Sequence, residues 1–353
     1  MNQNYNRLYM PQFITGCGSI EFFATLGKKR IGVVRGGRSL NDRLKAKIEK
    51  LAIGGGSVLD TAKAIHLFYE NPEMSFEEAT IPYALPALGK KAVHVAVPTT
   101  SGTGSETTSC AVFIDPETKT KKLLLDNTII PHYAILDADM TDSLPTSITV
   151  ATGLDALTHS IEASTALNAS AMTRAIAMEA AVDILENLEA AAKEGEMTEE
   201  KKAAREKMHI ASGLAGVAIT NSCTGLAHSY DHPGPAFSFA HGNICGLMLP
   251  YTMKYVGVHP SYATIARRLG YKGTDKELTQ ALIDHLFGLM KKLNLKTCFK
   301  EFEIDREEYM EAAKVWAEIS LPAFATVVSP AEMTAEKGVA LYTECYDGTY
   351  PEV

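Results

Sequence analysis

Through its first 140 residues the chain alternates short β-branched, apolar runs with stretches of helical periodicity: Ile31 to Val34, a helix after Gly56, Val93 to Val97, Val112 to Ile114 and Ala134 to Leu136. That alternation predicts an α/β layer fold. Beyond Leu144-Pro145 long stretches rich in Ala, Leu, Met and Glu, among them Ser170 to Ala192 and Glu199 to Thr220, carry almost no strand signal and predict helices. Between the two, Thr141-Asp-Ser-Leu-Pro-Thr supplies a break and N-cap candidates. The expected division is an α/β domain over 1–143 and a helical domain over 144–353, with no internal repeat.

With 353 residues, 46% of them hydrophobic, the chain can fill two cores. Its 34 basic and 42 acidic residues give a net charge of -8 without single-sign blocks, which argues against a nucleic-acid or anionic-membrane surface. The longest apolar runs, such as Ile244 to Leu249, fall far short of the roughly 18 residues of a membrane span. MNQNYNRLYM has neither the pattern of a secretory signal nor that of a transit peptide, so a cytoplasmic location is expected. Six dispersed cysteines without a CxxC pair read as reduced, mostly buried thiols.

Two loops carry candidate phosphate chemistry. Ile53 ends an apolar stretch and is followed by Gly54-Gly55-Gly56-Ser57 and then a helical pattern through Asp60 and Lys63. Glycines at such a turn let a pyrophosphate reach backbone N–H groups at the positive end of a helix. A triple glycine alone is also compatible with a plain turn. Val97-Pro-Thr99-Thr100-Ser-Gly-Thr103-Gly-Ser-Glu106 adds hydroxyls and glycines at the end of another strand, where open α/β sheets bind ligands, although Ser and Thr there also serve as turn and capping groups.

In the helical half, Asp155 and His159 are four residues apart and emerge on one helix face. His228 and His232 repeat that spacing on a helix expected to end at Pro233, and His241 follows after a loop. A carboxylate and several imidazoles without a thiolate suit iron or zinc with an open coordination position. His66, His94, His132, His209, His259 and His285 stand apart from that cluster and read as core or surface residues.

In order along the chain, GGGSVLDTAKAI, PTTSGTGSETT, GLDALTHSIEA and GLAHSYDHPGPAFSFAHG resemble the iron-containing, group III alcohol dehydrogenase family. The resemblance implies a Rossmann-like dinucleotide-binding domain followed by an all-helical metal-binding domain, in a dehydroquinate synthase-like architecture. It also implies Asp155, His159, His228 and His241 as metal ligands and His232 as a proton-relay histidine. Gly55, Gly56, Ser57 and Asp60 resemble the family's pyrophosphate turn, Thr99, Thr100 and Thr103 its adenine and ribose contacts, and Lys122 a nicotinamide-ribose contact. The implied reaction is hydride transfer between a nicotinamide and a small alcohol or aldehyde, with a divalent metal, iron or zinc, as Lewis acid. A homodimer or larger homo-oligomer is expected.

Several features depart from the family. Where NAD-preferring relatives carry an aspartate after the first strand, this chain has Arg35-Gly36-Gly37-Arg38-Ser39, resembling the loop of NADP-preferring members. Guanidinium and hydroxyl donors there favour NADP(H), the alternative being that both arginines are solvated surface groups. Between Lys50 and Leu51 relatives carry some tens of further residues, either left out of this numbering or lost from the chain. The segment from Thr326 to Ala331 is also abbreviated. Rival readings are a polyol dehydrogenase or cyclising synthase of related architecture, or, from another class, a metal-dependent hydrolase or a non-catalytic assembly subunit. Phe237 and Phe239 are candidates either for the substrate pocket or for the core.

Overall fold

The computed structural model describes residues 7–27, 53–114 and 121–353. The expected strand at Ile31 to Val34, the candidate phosphate residues Gly36 and Ser39, and the Lys50–Leu51 junction lie outside the described residues. Among the described residues six strands are seen: β1 (Gln12–Thr15), β2 (Ile53–Gly54), β3 (Val95–Pro98), β4 (Cys110–Ile114), β5 (Lys121–Leu125) and β6 (Tyr133–Leu136). The order β1-β6-β3-β2 forms a parallel sheet, with Gln12 opposite Tyr133 and Ile53 opposite Val97. Every residue of β3 is buried, as expected for a parallel strand covered on both faces.

The run from Val112 to Ile114 belongs instead to a separate antiparallel hairpin of β4 and β5, with Val112 opposite Leu123. Lys122 lies within β5 opposite Phe113. Local periodicity identifies a strand but not its partner, because pairing is decided by distant segments.

Helix α1 (Gly56–Glu70) leaves β2 directly. After the last strand the chain is helical: α2 (Thr146–Thr165), α3 (Ala171–Ala191), α4 (Glu199–Thr220), α5 (His241–Val256), α6 (Pro260–Arg268), α7 (Asp275–Lys292), α8 (Arg306–Ser320) and α9 (Ala335–Asp347). Helices α3, α4 and α7 start where Ser170, Thr198 and Thr274 accept a hydrogen bond from the third residue of each helix. One core joins α2, α3, α4, α6 and α7 through Leu154, Ile161, Leu185, Met208, Ile265 and Leu282. A second gathers Tyr230, Tyr251, Phe299, Tyr309 and Tyr342 around α5, α8 and α9. No helix among the described residues is long and apolar enough to cross a membrane.

Helix α2 runs through the middle of the helical half and is buried from Gly153 to Thr165. Its hydroxyl residues tolerate this because they bond back to their own helix: Thr158 Oγ1 donates to Leu154 O at 2.8 Å and Ser160 Oγ to Ala156 O at 2.8 Å. Asp155, His159 and Glu162 have longer side chains and carry polar groups away from the helix.

Candidate metal and cofactor site

Three imidazoles converge on one carboxylate oxygen. The Nε2 atoms of His228, His241 and His159 lie 3.4, 3.5 and 3.7 Å from Asp155 Oδ1. The His159 and His228 rings stack with centroids 4.5 Å apart, and His228 meets His241 edge-on at 5.3 Å. Asp155 Oδ1 and His228 Nε2 are buried and have no hydrogen-bond partner. Buried polar atoms left unpaired are costly, and a divalent cation among them removes that cost, so this donor set fits such an ion. His241 retains 46% side-chain exposure, which leaves one side of the cluster open to a substrate oxygen.

The charges of the cluster are interdependent. Burial alone would raise the Asp155 carboxyl, but the charges of His159, His241 and His228 hold it well below the usual range. His159 is pushed down to about 4 by burial, against the pull of Asp155. His228 also pays for burial, yet Cys245, Glu162 and Asp155 hold it well above 6.5. Cys245 and then the hydrogen bond to Asp231 push His241 up to about 10.

Two carboxylates missed by the sequence reading stand behind the imidazoles. Glu162 Oε2 is 2.6 Å from His228 Nδ1, and its other oxygen accepts from Ala227 N at 2.6 Å. Asp231 Oδ2 is 2.6 Å from His241 Nδ1 and 3.6 Å from Lys121 Nζ. Such carboxylates fix the tautomer and aim of a ligating imidazole. Glu162 was legible in principle, since it lies one turn beyond His159 on the same helix face. Asp231 and Lys121 meet across the fold and leave no local signal. Cys245 is a third neighbour of the cluster: its thiol is 3.6 Å from His241 Nδ1.

His228 and His232 do not share a helix, contrary to expectation. A single turn, Leu226–Ser229, holds His228, and His232 sits at the N-cap of a second turn, Pro233–Ala236. Pro233 begins that turn because an N1 proline sacrifices no helical hydrogen bond. His232 Nε2 is 3.1 Å from Ser320 Oγ, its ring stacks on Trp316 at 6.2 Å, and burial lowers its pKa. Phe237 and Phe239 pack in the second core, against Tyr309 and Phe302 respectively.

The two predicted phosphate loops meet. Thr99 N donates to Gly54 O at 3.1 Å; a Cβ on Gly56 would press on Thr103, while one on Gly55 would only touch Thr100. No side chain caps the N-terminus of α1, so its positive end faces this cradle. The carboxylate of Asp60 is engaged by protein: it accepts from Ser105 Oγ at 2.6 Å and Val112 N at 2.9 Å. Nearby, the fully buried Lys63 donates to Thr108 Oγ1 at 2.8 Å and Cys110 O at 2.6 Å. Ser57 is the second residue of α1, whereas Lys122 is exposed on β5; its neighbour Lys121 is the lysine that reaches Asp231.

Close approach of α5 to α2 requires Gly242. A Cβ there would collide with Ala151 O and lie 2.9 Å from Asp155 Cβ. Gly242→Ala is therefore expected to cost about 1–3 kcal/mol by overpacking and to weaken zinc binding as His241 is pushed from Asp155. Thermal melting and zinc titration check this; wild-type values in both would rule out the tight fit.

Family models match most of the described chain. "Iron-containing alcohol dehydrogenase" matches residues 50–138, and "Fe-containing alcohol dehydrogenase family, C-terminal" matches 149–346. An NADPH-dependent butanol dehydrogenase of Clostridium saccharobutylicum is 36% identical over 303 residues, covering 85% of this chain and 76% of the relative. An aldehyde-alcohol dehydrogenase of Streptococcus pneumoniae is 34% identical over 307 residues; the match takes in 80% of this chain but only 34% of that longer protein. In fold, the chain is similar to a solved alcohol dehydrogenase from Oenococcus oeni, with TM-score 0.86, 24% identity and coverage of 97% of this chain and 100% of the other.

Proposed function

Because this chain belongs to the iron-containing alcohol dehydrogenase family and is thereby an oxidoreductase acting on CH–OH groups with NAD(P), we propose that Asp155, His159, His228 and His241 hold its catalytic divalent ion. The observation that carries this reading is the convergence of three Nε2 atoms within 3.7 Å of a buried, unpaired Asp155 oxygen. An ion held there supplies Lewis-acid polarisation of the substrate oxygen, and the nicotinamide supplies or accepts the hydride.

The chain's own residues do the rest. Glu162 and Asp231 keep the Nδ1 atoms of His228 and His241 occupied, so that both Nε2 atoms face the ion. Residues Gly55, Gly56 and Ser57 cradle the pyrophosphate at the start of α1, and Thr99, Thr100 and Thr103 contact the adenine and ribose. Asp60 orders this turn through Ser105 and Val112, and Lys122 contacts the nicotinamide ribose from β5. His232, neutral near pH 7 because burial lowers its pKa, carries the proton out of the site. The domains divide at about residue 143. The motifs and matched family models give no support to a cyclising synthase, hydrolase or silent subunit.

Gly36, Ser39 and the flanking Arg35 and Arg38 favour NADP(H), in keeping with the cofactor named for the Clostridium saccharobutylicum relative. One charge-assisted hydrogen bond to a 2'-phosphate is worth about 1.5–3 kcal/mol. Catalytic efficiency with NADPH is thus expected to exceed that with NADH by roughly ten- to a hundredfold. Oxidation of a panel of primary alcohols with each cofactor, after reconstitution with iron or zinc, tests the reading. Equal efficiencies would remove the NADP preference, and no turnover with either metal would remove the proposed centre.

A further inference from the structure

Two residues one turn apart on α8 hold the ring of His232. Trp316 stacks on it with centroids 6.2 Å apart and planes 16° from parallel, and Ser320 Oγ lies 3.1 Å from Nε2. The same hydroxyl is 2.8 Å from Ser229 O, in the turn that carries His228, and 2.8 Å from Trp316 O. Tyr342, beside Ser320, gives its own hydroxyl hydrogen to Tyr230 O at 3.0 Å and has none to offer Ser320. Ser320 is 1% exposed, which keeps competing water away. The other ring nitrogen of His232, Nδ1, makes no hydrogen bond among the described residues.

We propose that Ser320 is a positioning residue that fixes neutral His232 as the Nε2–H tautomer and leaves Nδ1 as the atom that takes up the proton. The inference rests on the relay role of His232 proposed above and names the working nitrogen. A hydroxyl has one hydrogen to give and accepts through its lone pairs, whereas a carbonyl oxygen only accepts. Were Ser320 to give its hydrogen to Nε2, its lone pairs would face both carbonyl oxygens at 2.8 Å. With the hydrogen on Nε2, the ring donates to Oγ and Oγ donates to a carbonyl, so one more hydrogen bond is made in a buried place where each counts. The proton released in alcohol oxidation then forms a bond to Nδ1, and Nδ1 gives it up to water. Throughout, Nε2–H stays on Ser320, so the ring need not turn, and the stack on Trp316 holds it in place. Because the same hydroxyl reaches Ser229 O, it also ties this ring to the turn of His228.

Nitrogen NMR of the zinc-loaded, full-length protein with isotope-labelled histidine tests the proposal without reference to turnover. The signals of His232 are those lost in His232→Gln. Near neutral pH the wild type is expected to show Nε2 protonated and Nδ1 bare; the reverse pattern would overturn the proposal. In Ser320→Ala both signals are expected to move toward each other, as in a ring exchanging between tautomers, and kcat to fall roughly three- to tenfold, the worth of one neutral hydrogen bond, with zinc content and the KM for alcohol unchanged. Ser320→Thr, which keeps the hydroxyl, is expected to hold kcat within about threefold of wild type. Trp316 is the chain's only tryptophan, so its emission checks that the stack survives each substitution. Wild-type kcat and signals in Ser320→Ala, alongside a loss in His232→Ala, would overturn the role of Ser320 and leave the relay standing. Normal turnover in His232→Ala would remove the relay itself. Should neither Ser320 variant keep the wild-type emission, the tautomer of the wild type decides alone.

Discussion

Asp155→Ala is expected to abolish alcohol oxidation and to leave the purified protein without metal after dialysis. Three imidazoles face Asp155 Oδ1 at 3.4 to 3.7 Å, so its removal takes away the one oxygen common to the cluster. Loss of a group that merely supports a ligand costs about 10–100-fold in metal affinity, and loss of the shared carboxylate should cost more. The fold should persist, because the carboxylate is buried at a desolvation cost and the helix around it packs through Leu154, Leu157 and Ile161. Binding to the native state raises wild-type thermal stability with metal concentration, and that rise should vanish in the variant. Full metal content in Asp155→Ala, measured by atomic emission, would place the ion elsewhere.

His232→Ala should retain metal yet lose about 10²–10⁴-fold in kcat, the usual contribution of a positioned acid or base. Trp316 and Ser320 hold the ring of His232, so the histidine enters the reaction with little freedom to lose. Burial lowers its pKa from 6.5; the wild-type rate should therefore fall as the pH drops below that value and the ring becomes protonated. In the variant that acidic limb should disappear. A rate profile from about pH 5 to 9 and a metal assay separate this from loss of the ion. Unchanged turnover and profile would end the relay assignment.

How much of this was legible in the sequence depends on how local each feature is. Glu199–Thr220 was read to the residue because its Thr198 cap, its apolar face and its end at Asn221 are all encoded within the segment. Asp155 and His159 were legible for the same reason, being one turn apart on one helix. His228 and His241 needed the family motifs, since two short turns and a loop bring them to Asp155 and no periodicity predicts that path. Asp231 is held by Lys121 from a hairpin more than a hundred residues earlier, a pairing invisible to spacing. Cys245, a free buried thiol, stands at the same four-residue spacing from His241 that singled out Asp155 and His159, so spacing alone does not separate a ligand from a neighbour.

The loop from Thr99 to Ser109 is stitched to the helical half along its length. Ser101 Oγ is 2.9 Å from His209 Nδ1, Thr107 Oγ1 donates to Gly213 O at 3.0 Å, and Ser109 N donates to Thr220 Oγ1 at 3.1 Å. Gly102 also lies so close to Thr152 that a side chain would clash. In mechanical terms, this loop, α2 and α4 form one rigid girder that bears both the phosphate cradle and Asp155. The spacing between the Thr99–Thr103 segment and Asp155 is thereby set by the packing of this loop on α2 and α4.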